Sequence, residues 1–199
     1  MADDKSGREK QARDADNRQR RRDIEAELER GDEPEPPIET DVLAALESEL
    51  EPLSFPVTGA KLVAAVGDTD VPAPTETYTV AELVPDAEVE TFDSPRAVRL
   101  QIQRPTVAMA MKRVVEASTG LPHRDRFGSQ REAYLKTFHA LQRLDGDDDD
   151  ALVSAVAEWI VEQIHEKKEV PGSRAVRRQA AKLCRANGYQ IRNDDWLGV

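Results

Sequence analysis

Few side chains in this sequence can fill a large core: aromatic residues are 5% of the 199, with four Phe, three Tyr and two Trp. The length suits one ordinary domain or two small ones, and the uneven supply of apolar residues argues against a single large core. Cys184 is the only cysteine, which excludes an intramolecular disulfide and removes any argument for an oxidising compartment. No apolar run approaches the ~20 residues that span a bilayer, and the opening MADDKSGREK lacks the apolar segment of a signal peptide. The expected location is cytoplasmic, away from membranes. His123, His139 and His165 stand far apart without Cys or His companions at ligand spacing, so no metal and no other cofactor is expected.

Charge is what the chain has in excess. Its 39 Asp and Glu outweigh 28 Lys and Arg, for a formal net charge of −11. Acidic clusters recur throughout, in GDEPEPP, ESELE, DAEVE and DGDDDD, and the basic residues divide into 20 Arg and eight Lys. Dense surface carboxylate keeps a protein hydrated where salt shortens the Debye length to about 3 Å at 1 M. The pattern reads as the surface of an extreme halophile; an acidic mesophilic protein from a GC-rich genome is the alternative.

Residues 1–30 carry nine basic and nine acidic residues, with Glu9, Asp14 and Asp16 each four before an Arg. Such pairs contribute only ~0.2 to 0.5 kcal/mol each, so this arm is expected as a solvated or partly disordered helix. The basic knot Arg18, Arg20, Arg21 and Arg22 sits among acids that make it a charge-balanced face rather than a phosphate grip. Pro34, Pro36 and Pro37 then make a stiff linker to about residue 39.

Beyond the linker, short helical stripes alternate with breakers. Thr40 or Asp41 is expected to cap a helix with Val42, Leu43, Leu46 and Leu50 on one face, stopped by Pro52. Pro56 and Thr58 open a second, which Gly67 suits as a left-handed cap. Residues 68–77 read as a turn region, and Thr77–Val80 fits a strand or a capped helical turn equally. Ser94 and Pro95 form a helix start, and Pro105 starts the next helix afresh. Ser129 is expected to cap a helix bearing Tyr134, Phe138 and Leu141, which the GDDDD run ends. The following helix carries Leu152, Val156, Trp159, Ile160 and Ile164; Ser173 caps a last one, terminated by Gly188. The predicted fold is mainly α: a charged helical arm over 1–39, a small mainly helical module over 40–104 and a C-terminal helical module over 105–199, with at most a minor β-hairpin.

One short segment opposes the prevailing charge. Residues 167–192 hold eight Lys or Arg against the single acid Glu169, which leaves −18 on the remainder. On the final helix, Arg174, Arg177, Arg178, Lys182 and Arg185 fall within an arc of about 140°, with Val176, Ala180, Leu183 and Cys184 opposite. Arg192 follows in the tail. Preceded by an apolar helix and a turn holding Pro and Gly, this basic amphipathic helix has the outline of a helix-turn-helix, whose second helix offers Arg and Lys to phosphates and guanine edges. The expected partner is DNA or RNA. An acidic protein partner suits the same face, making the chain an interaction or assembly adaptor without nucleic-acid binding. Molar salt weakens the first reading, since phosphate binding loses affinity along a slope near −0.9 per neutralised phosphate.

Catalytic patterns are thin. The aspartates of 145–150 lack the spacing and closing Glu of a calcium loop, the serines lack G-x-S-x-G context, and VGDTD lacks the glycines and lysine of a phosphate loop. Cys184 lies on the apolar face of its helix and reads as a small buried hydrophobe. Trp159 reads as core and Trp196 as an anchor of the tail. No catalytic residue is assigned.

The phrases FPVTGAKLVAAVGD, TYTVAELVP, FDSP, QRPTVAMAMKRVVEA and PGSRAVRRQAAKLCRANGYQIRNDDWLGV together resemble a conserved haloarchaeal protein family of unknown function, over about residues 40–199. The stretch from Phe55 to about Ile102 is similar to small helical modules of prokaryotes that also open on an FP-helix and end on an SP-helix. The resemblance implies an archaeal cytosol and a non-enzymatic role, and carries over no site.

Overall fold

Prolines, polar caps and short apolar stripes divide the chain into short helices, and the structure keeps that division. The computed structural model describes residues 38–74, 76–121, 125–144, 151–189 and 191. The arm over 1–37, with its basic knot, lies outside the described residues, as do His123, the 145–150 run, Arg192 and Trp196.

Among the described residues the order is α1 (Thr40–Leu50), β1 (Val57–Thr58), α2 (Gly59–Val66), β2 (Asp70–Pro72), β3 (Thr77–Thr79), α3 (Val80–Leu83), β4 (Thr91–Phe92), α4 (Pro95–Ile102), α5 (Pro105–Ser118), α6 (Asp125–Leu144), α7 (Ala151–Lys167) and α8 (Ser173–Ala186). The fold is mainly α with minor β. The turn region at 68–77 is in fact a hairpin: β2 and β3 pair antiparallel with Val71 opposite Tyr78. A second ladder pairs β1 with β4, Val57 opposite Phe92, across a sequence separation that leaves no local signal. Gly59 marks its edge. Its N–H donates to the Glu90 carbonyl at 2.9 Å, and a Cβ there would stand 2.2 Å from the Pro85 carbonyl oxygen, so only glycine admits this crossing.

Several start signals act as expected. Thr58 Oγ1 accepts from Lys61 N at 3.4 Å, and Ser94 Oγ accepts from Ala97 N at 3.3 Å ahead of Pro95. Thr79 resolves the strand-or-cap choice by doing both: it ends β3 and donates its N–H and hydroxyl to the Glu82 carboxylate, at 2.7 and 3.0 Å. Those bonds hold the Glu82 carboxyl below its ordinary pKa.

Other boundaries move. The cap of α1 is Glu39, with extended backbone, rather than Thr40 or Asp41. Gly67 stays right-handed at φ −58; its want of a side chain answers the approach of the Val63 carbonyl, 2.3 Å from where a Cβ would stand. Helix α6 starts at Asp125, not at Ser129, because Gly128 costs about 1 kcal/mol inside a helix without stopping it. Gly188 does terminate α8, at φ +88: Tyr189 N donates to Cys184 O and Gly188 N to Arg185 O, the paired bonds of a glycine-closed helix end.

Two apolar cores result, within one compact unit. The first gathers α1, the two ladders, α2, α3 and α4 around Leu43, Leu50, Leu62, Leu83, Phe92 and Ile102. The second gathers α5 to α8 around Met111, Tyr134, Phe138, Ile160, Ile164 and Val176. Helix α5 belongs to both, giving Ala108 to the first and Val107, Ala110, Met111, Val114 and Val115 to the second. A helix apolar on so much of its surface is a buried one. Arg104, the buried N-cap of α5, stands where the sequence reading divides the two modules.

Polar side chains stitch the cores. Lys112 Nζ donates to the Val84 carbonyl at 3.1 Å and to Glu116 Oε1 at 2.5 Å, and Glu116 accepts from Asp86 N at 2.9 Å. More deeply placed, Glu90 Oε1 meets Arg131 Nη2 at 2.6 Å, and the same nitrogen donates to Gln101 Oε1 at 3.0 Å.

Candidate nucleic-acid interface

The placement of α8 begins on α6. Gln130 and Tyr134 are one turn apart there, and both reach the turn before α8: Gln130 Oε1 accepts from Ser173 N at 2.8 Å, and Tyr134 Oη–H donates to the Pro171 carbonyl. Ser173 is not the cap: that position falls to Gly172, with extended backbone at φ −68 and ψ 149, whose carbonyl accepts from Ala175 N and Val176 N at 2.8 and 3.2 Å. Burial pushes the Tyr134 phenol above its ordinary pKa, which keeps it a donor. Sequence reading took Tyr134 for core alone; the signal for its second role was that a buried phenol needs a partner.

From the other side, α7 leads into a five-residue turn, 168–172. Lys168 takes a left-handed conformation at φ 54 and its N–H closes α7 on the Ile164 carbonyl at 3.0 Å. Glycine is the usual occupant of such a position. A lysine there sets a further exposed cation beside exposed Lys167, at the entrance to α8.

Helix α8 then packs on α6 and α7 through Val176, Ala180, Ala181 and Cys184, all buried. Cys184 is fully buried, as its apolar face predicted. Trp159 on α7 is half-buried against this same core rather than sealed within it.

Arg174, Arg178, Lys182 and Arg185 are exposed. They follow one another at steps of four, four and three, about 6 Å for each step of four and about 4.5 Å for the step of three, about 16 Å from first to last along the axis. None forms an ion pair with another described residue, and α8 contains no Asp or Glu. Arg185 Nε donates to the Ile191 carbonyl at 3.2 Å, which draws the tail against the helix end.

Arg177 stands apart from this row. It is half-buried, on the flank toward Ala180, Ala181 and Cys184, and its Nε is buried without a hydrogen-bond partner. The helical wheel groups it with the other cations; packing against the neighbouring helices separates it. Arg192 lies outside the described residues.

The remaining candidates for chemistry stay dispersed. Among the described residues no group of three or more His, Cys, Asp and Glu is placed to hold a metal ion, and no helix is long and apolar enough to cross a membrane. His139, half-buried on α6, has its pKa lowered to about 4 by burial and by the Arg104 and Arg143 charges.

Residues 41–114 match the model of a family of unknown function, DUF5789. The match spans the first core and most of α5, and it ends before α6, so the row on α8 lies beyond the part of the chain that the family model describes. No curated protein and no solved structure matches the chain.

Proposed function

We propose that this chain is a nucleic-acid-associated or regulatory binding protein that acts through the outward face of α8 and performs no catalysis. The observation that carries the reading is a row of four exposed cations, on a helix without a single acid, in a chain whose net charge is −11. In so acidic a molecule, carboxylates to neutralise such a row are abundant, and the fold instead turns it outward. Long-range repulsion from the rest of the surface opposes approach of a polyanion; salt suppresses that repulsion and also weakens the cation–phosphate contacts, so the row has to act at contact distance. The composition supports a halophilic, cytosolic setting, and the phrases along residues 40–199 support an archaeal one.

Purified protein carrying nucleic acid, with an absorbance ratio at 260 over 280 nm that falls on nuclease treatment, is the first expected result. Changing Arg174, Arg178 and Arg185 together to Glu is expected to abolish that retention at the salt of the native cytosol. Retention of nucleic acid unchanged by the triple substitution contradicts the reading. Nuclease-resistant recovery of an acidic protein through the same residues supports the adaptor role in its place.

A further inference from the structure

The row lies on one flank of the exposed face of α8, and this asymmetry says how a nucleic acid would be held. At 100° per residue, Arg174, Arg185, Arg178 and Lys182 fall within about 80° of arc, and the next ~60° is occupied by exposed Ala175 and Ala186 and by half-buried Gln179. On the other side of the row the surface turns inward, through half-buried Arg177 to buried Cys184 and Ala180. A helix inserted in a major groove meets a phosphate wall on each side and presents base-reading side chains between them. Helix α8 has cations for one wall only. Its other flank is two methyl groups and one amide, too short and too few to reach a second wall or to read a succession of base edges.

Resting on the proposed function, we infer that α8 lies along the phosphate backbone of one strand, whether that strand is single or part of a duplex, and holds it without preference for base sequence. Three cations, Arg174, Arg178 and Lys182, have no hydrogen bond or ion pair to another described residue and form the contact; Arg185 adds a fourth where the tail joins the helix. Recognition of this kind is electrostatic, so it has a definite salt signature. Three to four neutralised phosphates give a log–log slope between about −2 and −4, at about −0.7 per contact for single strands and −0.9 for duplex.

The test is fluorescence anisotropy of the full chain with several unrelated oligonucleotides of one length, single- and double-stranded, across a salt series in which circular dichroism shows the protein folded. Affinities within about threefold across sequences, on slopes in that range, are expected. Ala175→Gln with Ala186→Gln fills the bare flank with neutral bulk, and binding within about threefold of the parent is expected, whereas Arg178→Gln weakens it by about fivefold or more and flattens the slope by about one unit. A preference beyond about thirtyfold for one sequence, or loss of binding from the two alanine substitutions in a protein that remains folded, overturns the inference and leaves the proposed function standing. Absence of binding to every oligonucleotide overturns the proposed function itself.

Discussion

Two groups of cations meet opposite fates in this molecule. At the seam between the cores, Arg131 is held between the buried carboxylate of Glu90 and the amide of Gln101, and Arg104 is buried at the head of α5. On α8, Arg174, Arg178 and Lys182 face solvent without an ion partner among the described residues. The seam cations do structural work, where removing a carboxylate strands a charge in low dielectric. Those on α8 contribute little to folding, since exposed cations on a solvated helix are worth tenths of a kcal/mol. Their value lies in what they leave available.

The largest effect expected from breaking this contrast is at the seam. Glu90→Ala removes the carboxylate from Arg131, and urea unfolding should show a loss of about 2 to 3 kcal/mol, at the lower end for a broken buried pair. The reason is that the Arg131 side chain is 30% exposed against 7% for Glu90, so water recovers part of the loss. Binding by the folded variant should be unchanged.

Next comes the acid response of the seam. His139 has a folded pKa of about 4 against an ordinary 6.5. Between those values the unfolded chain takes up a proton that the folded chain refuses. Stability is therefore fully present above pH 6.5 and falls as pH drops toward 4. With His139 half-buried and partly screened, the loss is about 2 kcal/mol, and His139→Gln should remove that portion from the pH profile of unfolding.

A smaller effect sharpens the link between the two regions. Tyr134→Phe deletes the hydrogen bond to the Pro171 carbonyl and should cost about 1 kcal/mol; faster amide exchange at 172–176 is expected to locate the loss at the start of α8. Smallest of all is the effect on folding of changing Arg174, Arg178 and Lys182 to Glu, within about 0.5 kcal/mol in thermal melts, despite a change of six charges.

The contrast also explains what could be read from the sequence. Starts that depend on one residue and its near neighbours were legible: Thr58, Ser94 with Pro95, Pro105, and Gly188 at the end of α8. So was the buried stripe of α8 through Val176, Ala180 and Cys184, because a 3.6-residue period needs no knowledge of the partner. What escaped was set by distant chain. Gln130 reaches the Ser173 N–H from α6, Val57 finds Phe92 across the whole first core, and Glu90 meets Arg131 with no pattern to announce it. Arg177 shows the limit within the site itself: the wheel places it near the cations, and only the packing of α8 on α6 and α7 decides that it turns inward. The four exposed cations were legible, and the hydrogen bonds that aim their helix were not.

The most direct measurement compares two variants of equal charge in nucleic-acid binding at about 1 M salt, where long-range steering is screened. One carries Arg174→Glu, Arg178→Glu and Lys182→Glu on α8. The other carries Lys61→Glu, Arg96→Glu and Arg113→Glu, exposed positions elsewhere. The account predicts that the α8 variant binds at least about tenfold more weakly while the second stays within about threefold of the parent. Equal losses in the two, or none in the first, would contradict it.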